Sequence, residues 1–171
     1  VFSIHLQWDH FEVLNERWNG SIGELAEQNN WLFLWREDQL EQTISWVRAR
    51  ATNQWTSSQR AEDEASYDGP ELRRRFLMTV DRNQRWAEFF RRERIEPFEL
   101  TYEQVQADPN RSIDEILEWM GETRTQPVVT EPRGLRVQRS SETEEWIDRF
   151  TEENPDLIGQ RFRPHGGAAR P

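Results

Sequence analysis

Two residues in the stretch WLFLWREDQLEQTISWVRAR have the types needed to hold an anion: Arg36, just past an apolar run, and Ser45, nine residues on. A guanidinium offers planar charged donors and a hydroxyl a neutral one. Trp31 to Trp35 reads as a strand of a parallel sheet covered on both faces. In open α/β sheets ligands bind beyond the carboxyl ends of the strands, so Arg36 stands where a ligand would arrive. A helix is predicted from about Asp38, with Leu40, Ile44, Val47 and Ala51 as its apolar stripe. Ser45 lies well round from that stripe, roughly 10 Å along the helix at 1.5 Å per residue. An arginine folded back along the helix covers part of that distance. A plainer reading uses the same residues: Arg36 pairs with a carboxylate, and Ser45 bonds to its own helix backbone.

Other side chains are weaker candidates. His5, Asp9 and His10 match no metal-ligand spacing of the usual kinds, and local packing or capping accounts for them. Trp46, Arg48 and Trp55 have the chemistry of a sugar pocket, since indole faces stack on sugars and arginine reads hydroxyls; core packing uses them equally well. Tyr102 is placed at a strand end and Asp108 before Pro109 at a helix start, both structural positions. All 22 basic residues are arginine, so a scheme that needs a lysine must find it elsewhere. The absence of cysteine removes disulfides and thiol chemistry and points to an intracellular, cytoplasmic setting. No apolar run reaches the length of a membrane helix.

The elements that must position these residues follow from periodicity and punctuation. At 171 residues one domain is expected, and nine Trp with nine Phe supply its core despite 32% charged residues. Val1 to Leu6 reads as a strand, Trp8 to Asn15 as a helix and Ser21 to Gln28 as another with a capping box. Thr56 to Pro70 reads as a polar loop and Glu71 to Arg94 as a long helix anchored by Phe76, Val80, Trp86, Phe89 and Phe90. PFELTY is a strand; Ile113, Ile116, Leu117 and Met120 form the stripe of the helix after it, and Gly121 suits its end. Gly121 to Arg139 reads as a connection, Ser140 or Ser141 to Phe150 as a last helix, and GQRFRPHGGAARP as a frayed tail. This order is α/β, a parallel sheet flanked by helices. The formal charge of -10 opposes nucleic acid, although Glu71 to Arg94 is locally basic.

The blocks FSIHLQWDHF, FLWREDQLEQTISWVRARATNQW, SYDGPELR, NQRWAEFFRRERIEPFELTYEQVQADPNRSIDEILEWMG and SSETEEWIDRF, in that order, resemble the Stf0 family of bacterial sulfotransferases, known for 2-O-sulfation of trehalose. The resemblance implies a P-loop-like sulfotransferase fold over residues 1–155, with 156–171 as a flexible tail. It implies 3′-phosphoadenosine-5′-phosphosulfate (PAPS) as donor, a carbohydrate or glycolipid acceptor, no metal, and leaves a homodimer open. The family's 3′-phosphate contacts carry over to Arg36 and Ser45. Many sulfotransferases place the arginine eight residues before the serine, where this chain has Glu37, a like charge beside a phosphate unless it turns away. Arg139 is a third candidate phosphate contact. The family's glycine- and serine-containing loop and its acidic general base would precede Val1. The expectation is therefore a domain incomplete at its N-terminus by about 30 residues, with exposed apolar surface, an unpaired strand edge and no activity as a fragment. The competing expectation is a non-catalytic interaction module that uses its Arg-rich helix.

Overall fold

In the computed structural model, which describes residues 3–19, 28–55, 64–124, 141–157 and 159–164, the apolar run forms strand β1 (Leu32–Trp35). It pairs in parallel with β2 (Phe98–Thr101), Leu32 opposite Phe98 and Trp35 opposite Thr101. Partners in a parallel pair project to the same face, and alternate residues project to opposite faces. Phe33, 6% exposed, turns into the main core, whereas Leu34 is 54% exposed. The strand predicted to be covered on both faces is covered well on one. On the other face the cover lies over β2, where Phe98 meets Trp119 at 5.2 Å between ring centroids.

Among the described residues six helices accompany this pair: α1 (Trp8–Arg17), α2 (Gln39–Thr52), α3 (Gly69–Arg92), α4 (Tyr102–Ala107), α5 (Pro109–Trp119) and α6 (Ser141–Glu153), followed by a 3-10 turn at Pro155–Leu157. Their starts are set by side-chain caps of the kind expected where four backbone N–H groups lack helical partners. Asp38, Asp68 and Asp108 accept from the backbone N–H of Glu41, Glu71 and Arg111. Thr101 and Gln104 form a reciprocal capping box that opens α4 directly from β2. Tyr102 therefore begins a helix rather than ending a strand. Helix α2 buries the predicted Leu40, Ile44 and Val47, but Ala51 is exposed and Gln39 and Thr43 are buried instead.

Residues 3–7 form no strand, and the first two residues lie outside the described ones, as do 21–27 of the predicted second helix. Of the predicted tail, residues 156, 157 and 159–164 are described. Leu157 and Phe162 are 2% and 4% exposed and belong to the core. Gln39, fully buried, holds the Phe162 backbone by two bonds: its Nε2 donates to the carbonyl and its Oε1 accepts from the N–H, each at 3.0 Å. Pairing of this kind satisfies a polar segment that would otherwise be costly to bury. Residues 159–164 thus dock through one phenylalanine held by one glutamine.

The basic helix is answered from within. On α3, Arg73 pairs with Asp156, Arg74 and Arg75 with Glu71, Arg82 with Asp9, and Arg85 with Glu12 and Asp81. Two of these partners lie on α1, which also stacks Trp8 and Phe11 against Trp86 and Phe89. Arg73, Arg82 and Arg85 tie the segment after α6 and α1 to the long helix. That weakens them as a free surface for an acidic partner.

Candidate functional site

Because β1 and β2 run in register, their continuations leave the sheet side by side, Arg36 next to Tyr102. The Arg36 guanidinium lies over the Tyr102 ring at 4.3 Å from the centroid, a cation–π contact. Its Nη2 is 3.6 Å from Glu41 and its Nε 3.7 Å from Glu103, and the Arg36 side chain is 18% exposed. Those separations are ion pairs rather than hydrogen bonds. The Nε atom itself is screened from solvent and meets no hydrogen-bond acceptor among the described residues.

Glu103 serves a second purpose at the same spot. Its two oxygens accept from the backbone N–H groups of Glu37 and Asp38, at 3.1 and 3.4 Å, just ahead of α2. With Asp38 and Glu41 it places three carboxylates at the amino end of that helix, where the helix dipole favours negative charge. Glu37 points its side chain into solvent and turns only its N–H inward.

Ser45 is exposed on α2. It follows Glu41 by one turn, about 40° round the helix and roughly 6 Å along it. Thr43 and Thr52 donate to the carbonyls four residues before them in the plain helical manner, at 2.8 and 2.9 Å. The Ser45 hydroxyl forms no such bond. The two halves of the plainer sequence reading thus part company: Arg36 does pair with carboxylates, and Ser45 does not bond its own backbone. The structure carries Arg36 toward α2, to the residue one turn before Ser45, but also surrounds it with Glu41 and Glu103. Arg139 lies outside the described residues.

The remaining sequence candidates are dispersed. Arg48 donates to Thr143 at 2.6 Å and Glu142 at 2.5 Å, fastening α2 to α6. Trp46 is covered by Arg75, 3.7 Å from its ring, and meets Trp55 edge-on at 6.4 Å. Trp55 itself is 54% exposed, beyond the far end of a 14-residue helix, about 20 Å from the rim. Tyr67 donates to Glu153 at 2.8 Å and Arg149 lies over its ring at 4.0 Å. Burial, then the hydrogen bond to Glu153, pushes the Tyr67 hydroxyl up to about 12. His5 and His10 are exposed, and among the described residues no group of His, Asp or Glu gathers to hold a metal ion. Among those residues, too, no helix is long and apolar enough to cross a membrane.

Tyr102, Glu103 and Glu41 are the contacts that sequence reading misses. The signal that could find them is the parallel pairing itself, which fixes 102 beside 36 once the strands are aligned.

Parallel strands joined through helices, with charged side chains collected at their carboxyl rim, define an α/β protein. The chain belongs to the Stf0 sulphotransferase family, whose model matches residues 4–153. No curated protein matches it.

Proposed function

We propose that the chain is a sulfotransferase that takes PAPS as donor and a carbohydrate hydroxyl as acceptor, with trehalose-like sugars and glycolipids as the acceptor class. Arg36 and Ser45 are its contacts for the donor's 3′-phosphate. The observation that carries this reading is family membership over residues 4–153 together with Arg36 at the carboxyl rim, its guanidinium 3.6 Å from Glu41, which lies one turn before Ser45 on α2. Sulfuryl transfer breaks the S–O bond to the 5′-phosphate as the acceptor oxygen forms a new one, and the acceptor loses its proton. Such a reaction asks for positioning and for charge stabilisation at the leaving phosphate. A guanidinium and a hydroxyl at the far phosphate supply affinity and placement rather than bond breaking.

The local charge bears on strength. Glu41 and Glu103 already flank Arg36, so a phosphate arriving there meets like charges as well as the guanidinium. Calorimetry with 3′-phosphoadenosine 5′-phosphate tests the site. Binding is expected to fall about tenfold in Arg36→Ala and less in Ser45→Ala, since charged hydrogen bonds are roughly twice as strong as neutral ones. Affinity unchanged in the double variant would remove these two residues from the site.

A further inference from the structure

Arg36 is a long side chain at an edge, yet three groups fix it, and two of them are consecutive residues. The guanidinium carbon lies over the Tyr102 ring, 4.3 Å from its centroid. Glu103 faces its Nε edge at 3.7 Å. Both come from the first turn of α4, which begins with no spacer after β2. We propose that the Tyr102-Glu103 pair is a positioning device for Arg36, setting the direction of its charged edge for the donor phosphate; this rests on the donor reading above.

The geometry gives each member a separate task. The ring limits the guanidinium to one plane, because a planar cation gains most when it lies over an aromatic face. The carboxylate fixes rotation within that plane by drawing the Nε edge inward, where the atom is screened from solvent. The Nη2 end is then left toward Glu41 and α2. An unrestrained arginine loses rotamer freedom when it binds, and holding it beforehand removes that cost from the binding step. Glu103 also anchors the backbone it acts on, through the N–H groups of Glu37 and Asp38. Strand end, helix start and guanidinium are thereby tied to a single carboxylate.

The same contacts give Glu103 an opposite role to be tested, competition of its carboxylate with the phosphate for Arg36. The sign of the change on removing its charge separates the two. Glu103→Gln keeps one carbonyl oxygen for the Glu37 N–H and loses the charge that faces Nε. Tyr102→Phe keeps the ring, and Tyr102→Ala removes it.

The experiment is calorimetry of the full 171-residue chain with 3′-phosphoadenosine 5′-phosphate, each variant made with Arg36 and with Arg36→Ala. Glu103→Gln and Tyr102→Ala are expected to weaken binding about five- to tenfold, Tyr102→Phe to leave it unchanged, and both losses to disappear when Arg36 is alanine. Tighter binding by Glu103→Gln overturns the proposal in favour of competition. A loss that persists without Arg36 overturns it in favour of a purely structural role. A second readout needs no ligand: the Arg36 Nε–H signal in NMR, identified by its loss in Arg36→Ala. Its heteronuclear NOE is expected near backbone values in the parent and markedly lower in Glu103→Gln and Tyr102→Ala. An Arg36 signal equally mobile in all three sinks the positioning role whatever binds. If the parent chain binds no nucleotide while the NOE behaves as expected, the donor reading falls and the positioning stands.

Discussion

At Gln39 a single amide decides whether the last described residues belong to the fold. Its side chain is fully buried and satisfies both the N–H and the carbonyl of Phe162. Gln39→Ala leaves two buried backbone groups unpaired at roughly 1–3 kcal/mol each. The expected loss in urea unfolding is about 3 kcal/mol, with Phe162 released; a loss below about 1 kcal/mol would mean that water replaces the amide. Tyr67 gives a second residue-scale test. Its hydroxyl titrates near 12 instead of the ordinary 10.0, so the folded state holds that proton more tightly than the unfolded state. The associated stability is complete below pH 10 and is lost as pH rises from there through about 12. With only two tyrosines in the chain, spectrophotometric titration resolves it. Glu153→Gln is expected to bring the upper transition down toward 10, and the same midpoint in parent and variant would leave burial alone as its cause. The Arg36 surroundings were less legible than these pairs look in retrospect. Arg36 and Ser45 stood out by type and spacing, but Tyr102 and Glu103 are 66 and 67 residues away along the chain, and only strand pairing makes them neighbours.

Elements were easiest to recognise where local chemistry fixes them. Asp-Pro before α5 and the apolar stripe of α2 work within one or two turns, so the sequence contains the whole cause. The exposed outer face of β1 was not legible, because a continuous apolar run looks the same whether one side or both are covered. Helix ends offer a controlled comparison. Helix α5 closes with Gly121 at φ 73°, its N–H bonded to Glu118 and the next N–H to Leu117, a Schellman arrangement. Helix α3 closes in the same way, with Arg94 bonded to Arg91 and Ile95 to Phe90, but the left-handed position at φ 57° holds an arginine. Glycine adopts that backbone without the Cβ penalty of other residues. Arg94→Gly is therefore expected to stabilise the chain by about 1 kcal/mol and Gly121→Ala to destabilise it by about the same, both read as shifts in urea midpoint. If Arg94→Gly is instead destabilising, the arginine side chain makes a contribution at the end of α3 that outweighs the backbone strain.

At the scale of the molecule the two faces of the small sheet differ most. Phe33 meets Phe90 and Phe162 edge-on at 5.5 and 6.0 Å, so the inner face continues into the aromatic core. On the outer face Leu32 and Leu34 are 39% and 54% exposed, beside the buried Phe98 and Leu100 of β2. Burial, not hydrophobicity, sets what each contributes. Phe33→Ala removes packed volume and is expected to cost about 3–5 kcal/mol. The double variant Leu32→Ser, Leu34→Ser is expected to cost less, about 1.5–3 kcal/mol for two side chains, since about half of the area it changes is already in water. Parallel strands ordinarily have both faces covered, so the same double variant should lower the binding of a hydrophobic dye such as ANS while lowering the unfolding midpoint less than Phe33→Ala does. Dye binding unchanged by both substitutions would show that the leucines are covered in solution, and a drop in the midpoint larger than that of Phe33→Ala would show that the cover is part of the folded chain.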